Sequence, residues 1–475
     1  MTLKQKIARY RRKKILEFLR TTQPGKFENA GRKRLISTVE RAMKSSPAYA
    51  SLAAQHGIVL SSLKRPEDFF GSIPITNKQN YFAKYNYNEL VGKNLSKVKL
   101  AMSSSGYSGT FAFGFSTEDA LKNGRAGADI TLAYWFDISN RTTFLINCAP
   151  MGVHVETSLP IAEVSVRSDM AIALLQKVSP AYEQTILAGD PYFLKKIVEE
   201  GNRANIDWVK LNVSLITAQD WLPESLRTYL AYCIHLDLNN TGSRGIYATM
   251  GMTELGLNVF HESKYTVALR RKILNNQELK QAFIPTDMTA PPCLFHYYPF
   301  RTVIESITGE NGIELVFTVV DDKNILPVIR YSTGDAGRIR SYTELEQILK
   351  PSGYQHLLPD LKLPLGIMCG RSANKFEFQG KNFYLEDIKE ALFNNHKLAP
   401  ALSGMLHIRN LAKTPYIVLH LNKDYNSDKQ LQKMATEAIQ EFLHLPFEVE
   451  LAEYHQLPNA LELNYERKLY LRPDN

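Results

Sequence analysis

The sequence predicts an α/β protein with a large body of sheets covered by helices, followed by a small, separate α+β unit. Three observations predict it. Between residues 98 and 260 short apolar runs alternate with amphipathic helical patterns. From 300 to 345 the pattern switches to consecutive strands. A Pro- and Gly-rich break near 351–374, opening with PSGYQHLLPDLKLPLG, then precedes a new set of element signals.

In chain order, two helical stretches open the protein, roughly 3–20 and 31–54, and residues 55–80 hold a loop containing PITNK. TFLINCAP (143–150) and VKLNVSLITAQ (209–219) are continuous apolar runs that read as buried strands. PYFLKKIVEEG (191–201) and LPESLRTYLAYCI (222–234) carry a helical apolar stripe. RTVIESI, GIELVFTVV and PVIRYSTGDAGRIR are strand patterns divided by turn residues such as Asp321-Asp322. After the break, Gln379-Gly380-Lys381 sits between Phe376–Phe378 and Asn382–Tyr384, a hairpin signal. A helix (386–394), strands (402–409 and 415–421), a helix (428–443) and a strand (446–452) complete the unit.

The chain of 475 residues is long enough for a large domain plus a small one, or for three domains. Its 44% hydrophobic and 22% charged content is that of an ordinary globular protein. No apolar run reaches a membrane-spanning length, and no apolar signal core follows the basic N-terminus, so the cytoplasm is the expected compartment. Cys148, Cys233, Cys293 and Cys369 form no CxxC pair and read as buried thiols of a reducing compartment. His261, Cys293 and His296 are too few to argue for zinc, and none is expected.

The net charge of +9 is unevenly placed. Residues 1–44 hold fourteen Lys and Arg against three Glu, a net of +11, which leaves the rest of the chain at −2. A nucleic-acid enzyme spreads its basic surface over the catalytic body, so nucleic acid is not an expected partner. In the leading helix Leu3, Ile7, Tyr10, Ile15, Phe18 and Leu19 make a rough stripe. That stripe suits either packing on the protein's own body, the reading preferred here, or contact with anionic lipid or an acidic partner.

Residues 103–110 read SSSGYSGT. Glycines let the backbone turn its N–H groups inward, and hydroxyls add donors, so the stretch suits a polyphosphate. It is neither the lysine-bearing P-loop nor a nucleophile elbow. Three further stretches follow: MGMTELG (250–256), PVIRYSTGDAGR (327–338) and GRSANKFEFQGKNFYLEDIKEAL (370–392). In order and spacing the four together resemble the adenylate-forming superfamily of acyl- and aryl-CoA synthetases, luciferases and peptide-synthetase adenylation domains. The phenylacetate–CoA ligase-like branch is the most similar, and the likeness runs from about residue 60 to the C-terminus.

The resemblance implies a large AMP-binding domain over 1–370, with 1–54 as a basic helical lead-in, and a small mobile lid over 371–475. It implies ATP- and Mg²⁺-dependent attack of a small carboxylic acid on the α-phosphate, giving acyl-adenylate and pyrophosphate. The acyl group then usually passes to a thiol, that of coenzyme A, of a carrier-protein pantetheine or of an enzyme cysteine, with an amine as the other acceptor class; the basic N-terminus would suit an acidic carrier. Ser104, Ser105, Gly106, Ser108, Gly109 and Thr110 match the family's phosphate loop. Thr253 matches the residue facing the α-phosphate, and Glu254 the Mg²⁺ ligand. Asp335 matches the carboxylate on the ribose hydroxyls, and Arg371 the ribose-contacting arginine at the start of the lid. Lys468 matches the lysine that bridges substrate carboxylate and phosphate, with Arg467 and Arg472 as competitors. His154 falls in the acyl-pocket region, and Asp220 stands where relatives place a glutamate beside adenine.

Alone, Glu254 reads as a solvated helix-cap carboxylate and Asp335 as a turn aspartate; the ordered set moves both to function. Some positions depart from the pattern. Thr110 and Phe111 stand where relatives often have a basic residue after the second loop glycine. Met250 replaces the tyrosine before Gly251, leaving Tyr247 as the candidate to stack on adenine, and Ala373 replaces the hinge aspartate. The lost cation and altered hinge motivate the alternative reading, a non-catalytic nucleotide-binding or scaffold protein.

Overall fold

The computed structural model describes residues 3–456 apart from 104–112, 151–152, 241, 285–287, 310–311, 372–374 and 410–413. The Ser/Gly loop from Ser104 to Thr110, Ala373, and the tail with Arg467, Lys468 and Arg472 lie outside the described residues.

Four helices lead: α1 (Leu3–Thr21), α2 (Lys26–Arg32), α3 (Leu35–Ser45) and α4 (Pro47–Gln55). The second stretch predicted as one helix is thus divided, because Pro47 cannot continue α3. Ser46 turns extended and its hydroxyl accepts the Tyr49 N–H, which caps α4. Helices α5 (Pro66–Ser72) and α6 (Tyr87–Val91) flank the PITNK loop. A hairpin of β1 (Val98–Ser103) and β2 (Phe113–Thr117) precedes α7 (Glu118–Phe136).

The central sheet begins with β3 (Thr143–Asn147) and β4 (Ile161–Glu163), then α8 (Ser168–Lys177), β5 (Gln184–Gly189), α9 (Pro191–Arg203), β6 (Val213–Thr217), α10 (Glu224–Cys233) and β7 (Ile246–Met252). Strands β4, β3, β5, β6 and β7 are parallel in that spatial order. Successive residues face opposite cores: Phe144, Ile146 and Leu187 join one cluster, Leu145 and Ile186 the other. Burial on both faces is why these strands read as unbroken apolar runs rather than alternating ones. The run at 209–219 is shorter as a strand than predicted, because Asn212 takes a left-handed conformation (φ 48°) just before β6.

An antiparallel half continues the sheet. It contains β8 (Gly256–His261), β9 (Cys293–His296), β10 (Thr302–Gly309), β11 (Gly312–Val319), β12 (Tyr331–Arg340) and β13 (Leu365–Arg371). Helices α11 (Lys264–Leu274), α12 (Gln277–Phe283) and α13 (Tyr342–Leu349) pack around it. The eleven strands run β10-β11-β12-β13-β9-β8-β7-β6-β5-β3-β4.

The C-terminal region comprises the hairpin β14 (Lys375–Phe378) and β15 (Lys381–Tyr384), α14 (Leu385–Phe393), β16 (Leu402–Arg409), β17 (Tyr416–Leu421), α15 (Lys429–Leu443) and β18 (Glu448–Ala452). Each element predicted there is present within a few residues. Helix α14 is buried along its whole length and rests on α10. Polar contacts pin it: the Glu390 carboxylate accepts the N–H groups of Glu224 and Ser225 at 2.8 and 2.7 Å, on the first turn of α10. Lys389 pairs with Asp220 at 3.0 Å, and Asp387 accepts the Thr289 N–H at 3.1 Å.

Candidate active site

The site is assembled by strand register. In the β12–β13 pair Asp335 lies opposite Arg371, bringing the start of the C-terminal region against the STGD turn. Arg371 Nε is 3.8 Å from Asp335 Oδ1, and Asp335 Oδ2 accepts the Thr333 hydroxyl at 2.6 Å. Gly334 at φ +78° makes the backbone kink that turns this segment.

Tyr331, at the start of β12, donates its hydroxyl to Glu254 at 2.8 Å. Thr253 and Glu254 occupy the turn between β7 and β8, closed by the Leu255 N–H on the Met252 carbonyl. The T-E and STGD motifs, far apart in sequence, therefore share one buried hydrogen bond.

The Ser/Gly loop is bounded by described residues on both sides. Ser103 and Phe113 pair across the β1–β2 hairpin, so the loop leaves and returns at one place. Next to that pair Gly114 runs against the T-E turn: a Cβ at Gly114 would lie 1.8 Å from the Thr253 carbonyl oxygen. Only glycine allows the hairpin to approach this closely.

A fourth segment joins them. Thr76 donates its N–H to the Arg330 carbonyl and accepts the Ser332 N–H, each at 2.8 Å, stitching the PITNK loop to the start of β12. Arg330 secures the same loop from beneath, donating to the carbonyls of Phe70 and Ile73 and pairing with Glu305 at 2.9 Å. Two residues on, the half-buried Lys78 enters the electrostatic field of Glu254, Asp335 and Arg371.

Burial dominates the protonation behaviour. It lowers the Lys78 ammonium from its ordinary value; Glu254 and Asp335 pull it back up, and Arg371 opposes them. Burial raises the Asp335 carboxyl, against Arg371 and the Thr333 hydroxyl. It also raises the Tyr331 phenol, helped by the neighbouring Glu254, so Tyr331 stays protonated as a donor. The site thus offers carboxylate oxygens to hydroxyls or a hard cation, and an ammonium and a guanidinium to anionic oxygens.

The remaining candidates lie elsewhere or are otherwise engaged. His154 Nδ1 is 2.8 Å from Glu163, and Nε2 is 3.6 Å from Glu156; no described contact joins it to Thr253, Glu254 or Asp335. Asp220 is held by Lys389 of α14. Tyr247 is buried in the core with its ring stacked on Trp135 at 5.3 Å, so it does not stand ready to cover a base. His261 is fully buried beside Tyr298 and His296, and burial drives its pKa down. All four cysteines are buried, and none forms a disulfide.

Sequence reasoning missed Lys78 and Tyr331. The PITNK loop contains Lys78, but nothing in the local sequence points it to the site; only the pairing of Thr76 with the start of β12 carries it there. Tyr331 begins the YSTGD stretch, where a tyrosine at the start of a strand carries no signal that its hydroxyl meets Glu254.

No protein-family model matches the chain, and no curated protein does. Solved structures do. A 2-hydroxyisobutyryl-CoA ligase in the postadenylation state, in complex with 2-HIB-AMP, matches with a TM-score of 0.66 at 13% identity, over 93% of this chain and 89% of that one. An open conformation of that ligase with 2-HIB-AMP and CoA gives 0.56 at 13% identity, over 93% and 91%. Its thioesterification state with the same ligands gives 0.55 at 13% identity, over 93% and 89%.

Proposed function

We propose, from the premise that this chain has the fold of the adenylate-forming ligases, that it activates a carboxylic acid as its acyl-adenylate. The observation that carries this reading is the convergence of four distant segments: buried Glu254, Tyr331 and Asp335 meet exposed Arg371 and half-buried Lys78 at one place.

In this reading Asp335 accepts the two ribose hydroxyls and Arg371 lies beside the sugar. Thr253 faces the α-phosphate. The phosphate loop from Ser104 to Thr110 grips the outer phosphates through N–H groups and hydroxyls. Lys78 supplies, from the body, the cation that the loop lacks. Lys468 brings a second cation with the lid, between substrate carboxylate and phosphate. The acid's oxygen bonds to the α-phosphorus as the bond to the leaving pyrophosphate breaks. Such chemistry is governed by positioning and charge neutralisation. Glu254 has one oxygen on the Tyr331 hydroxyl and suits a hard cation that completes its shell with phosphate and water; Mg²⁺ held there would neutralise phosphate charge.

The lid is the region from Arg371 onward. The higher score against the postadenylation state than against the thioesterification state supports a pose on the adenylating side of the cycle. The acceptor in the second half is coenzyme A or a carrier-protein pantetheine, and product analysis with coenzyme A present distinguishes them. Pyrophosphate–ATP exchange over a panel of aromatic, fatty and small hydroxy acids tests the activity. Acid-dependent exchange is expected; ATP binding without exchange on any acid would favour the non-catalytic reading.

A further inference from the structure

Helix α1 is attached to the body along one edge and turns another outward. Leu16 and Leu19 are buried with Phe27, Tyr298, Leu361 and Leu363. Arg12 pairs with Asp129 at 3.5 Å and Arg20 with Asp360 at 2.9 Å. The attached edge is not the stripe seen in the sequence. Of that stripe only Leu19 is buried, while Leu3, Ile7, Tyr10, Ile15 and Phe18 are 39–73% exposed. The preferred expectation, that the whole stripe packs on the body, is corrected accordingly.

At about 100° per residue, Leu3, Ile7, Tyr10 and Phe18 fall within roughly 80° of arc. Arg11 and Lys14 project among or beside them, and Lys6 and Lys13 lie to one side of the arc, all exposed. The helix carries eight Lys and Arg against one Glu, and that Glu17 pairs with Lys14 within the helix. The outward surface is therefore apolar, aromatic and cationic at once.

We propose that α1 is an interfacial anchor that lies on an anionic lipid surface. The charge complementarity selects an anionic occupant, and the mixed face selects a fluid one. Leucine, isoleucine and aromatic side chains enter the boundary between headgroups and acyl chains while the basic side chains reach the lipid phosphates. A folded acidic protein would have to match a convex row of side chains in shape; a bilayer does so without a preformed pocket. The two ion pairs to the body fix the helix, so docking also fixes which side of the enzyme faces the lipid. This inference stands apart from the adenylation reading.

The test uses the full chain and sedimentation with vesicles. Binding to equimolar phosphatidylglycerol and phosphatidylcholine is expected, about tenfold or more weaker on phosphatidylcholine alone and in about 0.5 M salt. The Leu3→Glu/Ile7→Glu variant changes two exposed side chains, so it is expected to keep the parent melting temperature and lose about tenfold or more in vesicle binding. A Tyr10→Trp variant is expected to shift its emission to the blue on the anionic vesicles. Absence of sedimentation, a double variant that binds like the parent, or an unmoved emission would each overturn the proposal. Binding to polyglutamate that equals vesicle binding and survives in the double variant would assign the helix to an acidic macromolecule instead.

Discussion

Two groups of charges in this molecule invite comparison. Under the sheet, Glu224, Arg227, Glu262 and Arg270 form a closed cluster: Arg227 reaches Glu224 at 2.9 Å and Glu262 at 2.7 Å, and Arg270 reaches Glu224 at 2.9 Å. Their side chains are 0–1% exposed. At the candidate site the same four-charge composition stays open. Arg371 stops 3.8 Å from Asp335, and Lys78 closes no ion pair among the described residues although two carboxylates influence it. Charges that satisfy one another hold a fold together. Charges held close but apart are held by something else, here strand register and backbone stitching, and remain available to a ligand.

The comparison can be broken from either side. Arg227→Ala leaves two buried carboxylates short of a partner and is expected to destabilise by roughly 3–5 kcal/mol, read by denaturant unfolding. An unfolding midpoint near that of the parent would show that the cluster is not structural. Lys78→Ala is expected to do the reverse. Exchange should fall about 10²–10³-fold while the melting temperature stays level or rises, since a desolvated cation has been removed. A normal exchange rate in this variant would return Lys78 to the list of bystanders. Tyr331→Phe takes the hydroxyl from Glu254 and should lower exchange about tenfold, with a higher Mg²⁺ requirement.

The smallest effect concerns α14. Burial raises the Glu390 carboxyl to about 7. The folded state then holds a proton that the unfolded state has released, so stability falls as pH rises from the ordinary glutamate range towards 7. Glu390→Gln should flatten that slope by a contribution of order 1 kcal/mol, measured as melting temperature against pH. An identical pH dependence in parent and variant would locate the proton elsewhere.

The elements were largely legible in the sequence because their periods are local. The parallel strands announced themselves as unbroken apolar runs, and the C-terminal unit by its hairpin and helix pattern. Three of the four motifs fall among the described residues, and the structure brings their Glu254, Asp335 and Arg371 together. What sequence could not give was side-chain direction across long separations. Tyr247 looked available for a base but spends its ring on Trp135, and Asp220 is met by Lys389 from a helix 169 residues away. Lys78 was invisible for the same reason, since only the pairing of Thr76 with the start of β12 brings it near Glu254. The apolar stripe of α1 was real, but a helical period alone cannot say which arc meets the body.

The contact of Gly114 with the Thr253 carbonyl has a practical consequence for redesign. With a Cβ 1.8 Å from that oxygen, any side chain at 114 would wedge the hairpin away from the turn. The two ends of the Ser/Gly loop and the T-E turn therefore form one jig, which cannot be varied a residue at a time. A mutational library on this chain should leave 114 and 253 untouched and spend its diversity elsewhere, because a change at the jig would move the T-E turn and the loop ends together.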